Sequence, residues 1–152
     1  MNLFLFLFGA LLWTFIEYIF HRFVLHRKTS NYLLHDQFHH QHPTKRPTEV
    51  PFLLLGIALL CLSACGGNWF GIGFSVGVLA YVAIHFFSHS SIVPNALLYH
   101  HQYHHLVNAH KCFGVSSPLW DYVFGTHYPK KKPFSERQLA FYKGKNKRKA
   151  TL

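Results

Sequence analysis

Long apolar segments alternate with short polar ones along this chain. Residues 3–20 contain a single charged side chain, Glu17, and residues 50–84 contain none. A Gly-Gly-Asn sequence interrupts the second apolar stretch, and such a sequence favours a turn. The pattern therefore predicts three apolar helices, the first over 3–20 and the other two as a hairpin over 51–65 and 69–90.

The polar segments predict further, shorter elements. Three prolines make residues 41–50 a loop, and residues 95–107 can form a helix. Farther on, Ser117 can cap a short helix with Pro118 at its first position, and Gly125 can end it. The predicted fold class is all-α: an integral membrane helical bundle with a cytoplasmic histidine-rich helical cap.

Composition supports a membrane location. Of the 152 residues, 50% are hydrophobic and 18% aromatic, which is more than a soluble domain of this size can bury. The first apolar segment lacks the basic start and small-residue cleavage site of a signal peptide, so we expect it to remain as a membrane helix. The expected protein is integral and multi-pass, with a membrane domain over 1–128 and a basic cytoplasmic tail over 129–152.

The net charge of +10 is unevenly distributed. All Lys and Arg residues lie in 22–49 or 111–152, whereas the N-terminus and the Gly-Gly-Asn turn carry none. Because basic residues in short loops stay on the cytoplasmic side, every histidine cluster should face the cytoplasm. No recognition helix presents the basic residues, so anionic lipid headgroups are the expected partner and nucleic acid is not.

Ten of the fourteen histidines fall into four short clusters, three of which sit where a long apolar segment begins or ends. The clusters are His21 and His26; His35, His39 and His40; His85 and His89; and His101, His104 and His105. Spacings of three and four place rings on one helix face, and imidazole is a ligand for Fe, Zn, Cu and Ni. The clusters predict a polynuclear metal site at the membrane surface, while His42, His100, His110 and His127 are expected not to be ligands.

The number of histidine rings limits which kinds of metal site are possible. Ten histidines exceed the three or four ligands of a zinc site, and carboxylate di-iron sites require Glu-x-x-His motifs that this chain lacks. Two ions with about five nitrogens each account for the set, and iron with dioxygen can attack an inert C–H bond. A pH sensor also collects histidines, but it does not explain the repeated helical spacings.

Five motifs in this order resemble the fatty acid hydroxylase/sterol desaturase superfamily, and within it the fatty acid 2-hydroxylase branch. They are Glu17–His26 (EYIFHRFVLH), His35–His40 (HDQFHH), His85–His89 (HFFSH), His101–His105 (HQYHH) and Phe113–Thr126 (FGVSSPLWDYVFGT). The last motif is the most specific for the branch. Together the motifs run through most of residues 13–126.

The resemblance implies a membrane di-iron monooxygenase that hydroxylates a lipid acyl chain with dioxygen. It implies that the ten clustered histidines bind two iron ions, which zinc can replace in a purified protein. By the same similarity His21, His35, His39, His101 and His104 serve one metal, and His26, His40, His85, His89 and His105 serve the other. This chain carries no cytochrome b5-like domain, so a separate electron donor such as a ferredoxin or cytochrome is expected.

Two acidic residues are candidates for hydrogen bonds that orient the rings. Glu17 lies one helical turn before His21, and Asp121 lies in the last of the five motifs. Glu17 has an equally good alternative role as an acid that only packs between helices.

Other functions remain open on the sequence. A carotenoid ring hydroxylase is similarly short and has related histidine motifs, but the FGVSS and WDYVFGT stretches argue against it. A sterol oxidase or desaturase is a weaker rival. A metal-binding or pH-responsive membrane protein without turnover is the alternative outside the enzymes, and it predicts metal binding with no change in any lipid.

Overall fold

The computed structural model describes residues 2–26, 40, 49–90 and 96–139, and these residues contain helices and no strands. The helices are α1 (Leu3–Ile19), a π-helical segment (Phe20–Leu25), α2 (Val50–Cys65), α3 (Trp69–Ser90), α4 (Ala96–Leu106) and α5 (Leu119–Val123). The all-α prediction is confirmed for this part of the chain. The predicted ligands His35 and His39, and residues 140–152 of the predicted tail, lie outside it.

The predicted hairpin of α2 and α3 is confirmed. Gly67 adopts a φ of +63°, which is open to glycine, and the backbone N–H of Asn68 donates to the carbonyl of Ser63 at 2.8 Å. The side-chain oxygen of Asn68 then accepts the N–H of Gly71 at 3.0 Å. The turn thus ends α2 and caps the start of α3 within three residues.

Glycines bring α1 and α3 into close contact. A Cβ atom at Gly73 would lie 1.9 Å from the carbonyl oxygen of Phe6, and one at Gly9 would lie 2.1 Å from that of Phe70. Two helix backbones can approach this closely only where the side chain is missing. The aromatic ring of Trp13 covers the next glycine on this face and is itself buried.

Two helical stretches are long and apolar enough to cross a membrane: Leu3–Leu25 with 23 residues and Trp69–His89 with 21. α2 is apolar but shorter, at about 24 Å for a rise of 1.5 Å per residue. Large apolar side chains remain exposed on all three helices. They include Phe4, Leu7, Leu54, Leu62 and Val76. Contiguous exposed apolar surface of this kind is typical of helices that contact lipid.

α4, α5 and the loop between them pack against the polar ends of α1 and α3. The hydroxyl of Ser117 accepts the N–H of Leu119 at 3.2 Å, and Gly125, with a φ of +68°, follows the helix end. α5 therefore forms where the sequence predicts it. It begins at Leu119, one residue later than predicted, with Pro118 as the residue that precedes the first turn.

Candidate metal centre

The π-helical segment brings His21 and His26 to the same side of the chain. In an α-helix, residues five apart point about 140° away from each other. Here the N–H of His26 donates to the carbonyl of His21 at 3.2 Å, the i to i+5 bond of a π-helix, and the two ring centroids lie 5.0 Å apart. The wider turn of the π-helix therefore places His21 and His26 on one face, which a spacing of five residues in an α-helix would not do.

Eight of the described histidines form two groups of four, in each of which the ring nitrogens lie within 4.8 Å of one another. The first histidine group is His21, His26, His40 and His104. The second histidine group is His85, His89, His101 and His105. Their rings come from the π-helical segment that follows α1, from the end of α3, from α4 and from His40, so the site lies where the helices meet at their polar ends.

The spacing of the ring nitrogens suits a metal ion. In the first group, the Nε2 atom of His104 lies 3.0 Å from that of His26 and 3.2 Å from that of His40. In the second group, the Nε2 atom of His101 lies 3.1 Å from that of His89 and 3.0 Å from that of His105. Nitrogens bound at about 2.0–2.1 Å to a tetrahedral or octahedral ion lie about 2.9–3.4 Å apart, so both donor sets fit a transition metal.

α4 contributes to both groups. His101 and His105 are one turn apart and point to α3, whereas His104 is rotated by about 100° from His105 and points to the end of α1. This differs from the division implied by the resemblance, in which His101 served with His21, and His26 and His40 served with His85. The two groups adjoin, because the rings of His40 and His105 stack with centroids 4.4 Å apart.

Backbone carbonyls fix two rings of the first group. The Nδ1–H of His104 donates to the carbonyl of Lys111 at 2.7 Å, and that of His21 donates to Phe113 at 2.5 Å. Cys112, between the two carbonyls, adopts a left-handed φ of 61° and donates its N–H to Thr126 at 2.9 Å. Since a carbonyl only accepts, each Nδ1 carries the hydrogen and each Nε2 is left to face the centre.

Glu17 holds the loop that supplies these carbonyls. Its carboxylate accepts hydrogen bonds from the N–H of Val115 and from both the N–H and the hydroxyl of Ser116. Glu17 is buried. The loop residues that donate to it lie two and three positions after Phe113, whose carbonyl accepts the hydrogen of His21. Glu17 and His21 are therefore linked through the same loop.

Asp121 organises the same loop from the other side. Its carboxylate accepts the N–H groups of Phe113 at 2.9 Å and Gly114 at 2.8 Å, the hydroxyl of Thr126 at 2.6 Å, and Nε2–H of His100 at 2.9 Å. Burial raises the pKa of Asp121, but the hydrogen bonds from His100 and Thr126 outweigh it, and the pKa lies below its usual value. The carboxylate is therefore ionised and saturated with donors.

Glu49 was not identified from the sequence. It directly precedes α2, is 8% exposed, and its Oε1 contacts the Nδ1 of His85. Burial raises the pKa of Glu49 to about 8. Its position in the sequence could have identified it, because Glu49 is an acid immediately before a long stretch with no charged residue.

Four rings of the two histidine groups, those of His26, His40, His101 and His104, are held neutral. Burial, followed by the nearby rings, lowers the pKa of His26 and of His40 to about 3, and lowers the pKa of His101 and of His104 well below 6.5. Neutral imidazole is the form that binds a metal ion. The electrostatics thus agree with the geometry of both groups.

Three of the histidines expected not to be ligands lie outside both groups. His100 contacts Asp121, and His127 stacks on Tyr122 with centroids 3.8 Å apart. His110 is exposed. The fourth, His42, lies outside the described residues.

The chain is similar to known proteins. Residues 6–126 match the fatty acid hydroxylase family. The chain is 38% identical over 151 residues to a fatty acid 2-hydroxylase of Macaca fascicularis, covering 84% of this chain and 40% of that protein. It is 33% identical to the Arabidopsis thaliana dihydroceramide fatty acyl 2-hydroxylase FAH1, covering 85% of this chain and 62% of that protein.

A solved structure is similar as well. It is described as full length scs7p with only the hydroxylase domain visible, and it shares 36% sequence identity and a TM-score of 0.55 with this chain. The match covers 88% of this chain and 58% of that one. The chain thus spans about two fifths of the length of the mammalian relatives it matches, and more of the plant relative.

Proposed function

Because the chain belongs to the fatty acid hydroxylase family, we propose that it hydroxylates the acyl chain of a lipid, as a fatty acid 2-hydroxylase does. The observation that carries the proposal is the pair of adjacent histidine groups, each with four converging ring nitrogens. Relatives named as ceramide fatty acid hydroxylases support an acyl substrate. The enzyme is then an oxidoreductase that uses dioxygen and external electrons.

The proposed cofactor is a pair of iron ions, one held by each histidine group. When bound, iron supplies the activation of dioxygen that hydroxylation of an inert C–H bond requires. His35 and His39, outside the described residues, complete the proposed set of ten ligands. Zinc is expected to occupy the same nitrogens in a protein purified without iron.

Residues of this chain orient two of the rings and exclude water from part of the site. The Lys111 and Phe113 carbonyls keep Nε2 of His104 and His21 free of hydrogen, which orients both rings before any ion arrives. The ring of Phe113 is buried and lies 5.4 Å from the ring of His26 and 5.5 Å from that of His104, between centroids. This ring keeps water from one side of the first histidine group.

The substrate would reach the site along the helices. The exposed apolar side chains of α1 and α3 suit contact with acyl chains, and both helices end at the histidine groups. We place residues 1–128 in a multi-pass membrane domain with the histidine-rich cap on the cytoplasmic face, followed by a basic tail over 129–152. The basic cytoplasmic surface would attract an acidic electron donor, a ferredoxin or cytochrome.

Mass spectrometry of lipids tests the proposal. Cells expressing the chain are grown under ¹⁸O-labelled dioxygen and compared with cells expressing His104→Ala. Labelled oxygen at one acyl carbon, lost in the variant, is the expected result and identifies the substrate. Loss of two hydrogens without label would instead show a desaturase, and an unchanged lipidome with bound metal and a supplied electron donor would contradict catalysis.

A further inference from the structure

We propose that Glu49 is a positioning residue that gives the second histidine group an anionic partner and makes the two metal sites inequivalent. The inference rests on the proposed function, since it assumes that both groups hold metal. The key observation is the contact between the carboxylate of Glu49 and the Nδ1 of His85.

The contact fixes the ring of His85. A carboxylate accepts the Nδ1–H and leaves Nε2 to face His89, whose Nε2 lies 3.1 Å away. Tyr81, one turn earlier on α3, stacks on the same ring with centroids 5.4 Å apart and planes 14° apart. The rotation of His85 is therefore fixed before metal binds, and Glu49 in its ionised form also selects the tautomer with hydrogen on Nδ1.

The surroundings of Glu49 favour a positive charge close to its carboxylate. Its carboxylate is buried, and among the described residues its one ion-pair partner is the ring of His85. The second oxygen, Oε2, has no hydrogen-bond partner in the described part of the chain. With so little compensation, burial favours the neutral, protonated form of Glu49 when no positive charge lies nearby, and a cation on Nε2 of His85 would favour the carboxylate through the ring.

The first histidine group is built differently. The Nδ1 atoms of His21 and His104 donate to the neutral carbonyls of Phe113 and Lys111, where His85 donates to a carboxylate. A carboxylate makes an imidazole a stronger electron donor than a carbonyl does. The ion in the second histidine group should therefore be bound more tightly, because its ligand set includes an effectively more basic ring.

The test uses the purified full chain in detergent, stripped of metal and titrated with Co²⁺, whose visible absorption reports its ligands. Glu49→Gln keeps an oxygen that can accept the Nδ1–H but removes the charge, while Glu49→Leu removes both. Glu136→Gln, at an exposed position, is the matched control. His104→Ala isolates the second histidine group, and His89→Ala isolates the first.

In the His104→Ala background, Glu49→Gln should weaken Co²⁺ binding about tenfold and shift the absorption bands, and Glu49→Leu should weaken it by up to about 100-fold. In the His89→Ala background, neither change should have an effect, and Glu136→Gln should have none in either. A purely structural role for Glu49 predicts equal losses in both backgrounds and unchanged bands.

Equal Co²⁺ affinity of Glu49→Gln and the parent chain in the His104→Ala background would overturn the inference and leave the proposed function intact. Tight binding of two ions without any lipid product would instead overturn the proposed function and leave the role of Glu49 standing. Failure of the unaltered chain to bind Co²⁺ would overturn both.

Discussion

The backbone N–H of Ser116 donates a hydrogen bond to the carboxylate of Glu17, 3.0 Å away and 99 positions earlier in the chain. The hydroxyl of Ser116 donates to the same carboxylate. This contact joins the end of α1 to the loop whose Phe113 carbonyl accepts the hydrogen of His21. The candidate metal centre is thus linked to a residue that is not among its proposed ligands.

Replacing Glu17 with Leu should lower the free energy of unfolding by about 1–3 kcal/mol, because buried N–H groups of the loop lose their acceptor. Ser116→Ala, which removes only the hydroxyl bond, should cost less. Thermal unfolding in detergent measures both. Metal content should fall in Glu17→Leu as well. If Glu17→Leu unfolds at the same temperature as the parent chain, Glu17 only fills space between the helices.

Replacing His104 with Ala should abolish lipid hydroxylation and reduce bound metal by about one ion per chain, since the second histidine group keeps all four of its rings. Membrane insertion should be unaffected. Elemental analysis of the purified variant checks the metal, with His110→Ala, exposed and outside both groups, as the control. Retained activity would remove His104 from the ligand set.

Replacing Gly73 with Ala should force α1 and α3 apart, because the new Cβ would lie 1.9 Å from the carbonyl oxygen of Phe6. Overpacking of this kind costs about 1–3 kcal/mol, equivalent to several degrees in Tm. Gly66→Ala is the matched control, since its Cβ would meet ordinary contacts at 3.4 Å or more. Equal Tm values for the two variants would mean that α1 and α3 are not closely packed at Gly73.

The stability of the metal-free protein should fall as the pH is lowered from 6.5. Burial lowers the pKa of His26 and His40 from 6.5 to about 3 in the folded state. Between these values the unfolded chain binds protons that the folded chain does not, so acid favours unfolding. Measuring the free energy of unfolding at pH 7.5 and pH 5 checks this. His40→Gln should make that free energy less dependent on pH. A free energy that does not change with pH would indicate that the rings are solvated.

The helices and the clustering of histidine rings on helix faces could be predicted from the sequence because both depend on local patterns. The uncharged stretch 50–84 and its Gly-Gly-Asn turn determine a hairpin, and spacings of three and four determine shared faces on α3 and α4. Ser117 and Gly125 marked the position of α5 to within a residue. In each case neighbours in sequence are neighbours in space.

The relationships that were not predicted join distant parts of the chain or depart from ideal geometry. The π-helical segment at His21 has no local sequence signal, and the division of the rings between the groups depends on how α4 lies between α1 and α3. The contact of Glu49 with His85 spans 36 positions. Only the packed fold brings these residues together.

Helix α4 supplies one ring to the first histidine group and two rings to the second. Whichever ion binds first restricts the motion of the helix, so the second ion meets rings whose conformational entropy has already been lost. By linkage, each ion raises the affinity of the other by the same factor. Because the second histidine group is expected to bind its ion more tightly, it should fill first, and the affinity of the first group should then be higher than in a chain whose second group is disabled.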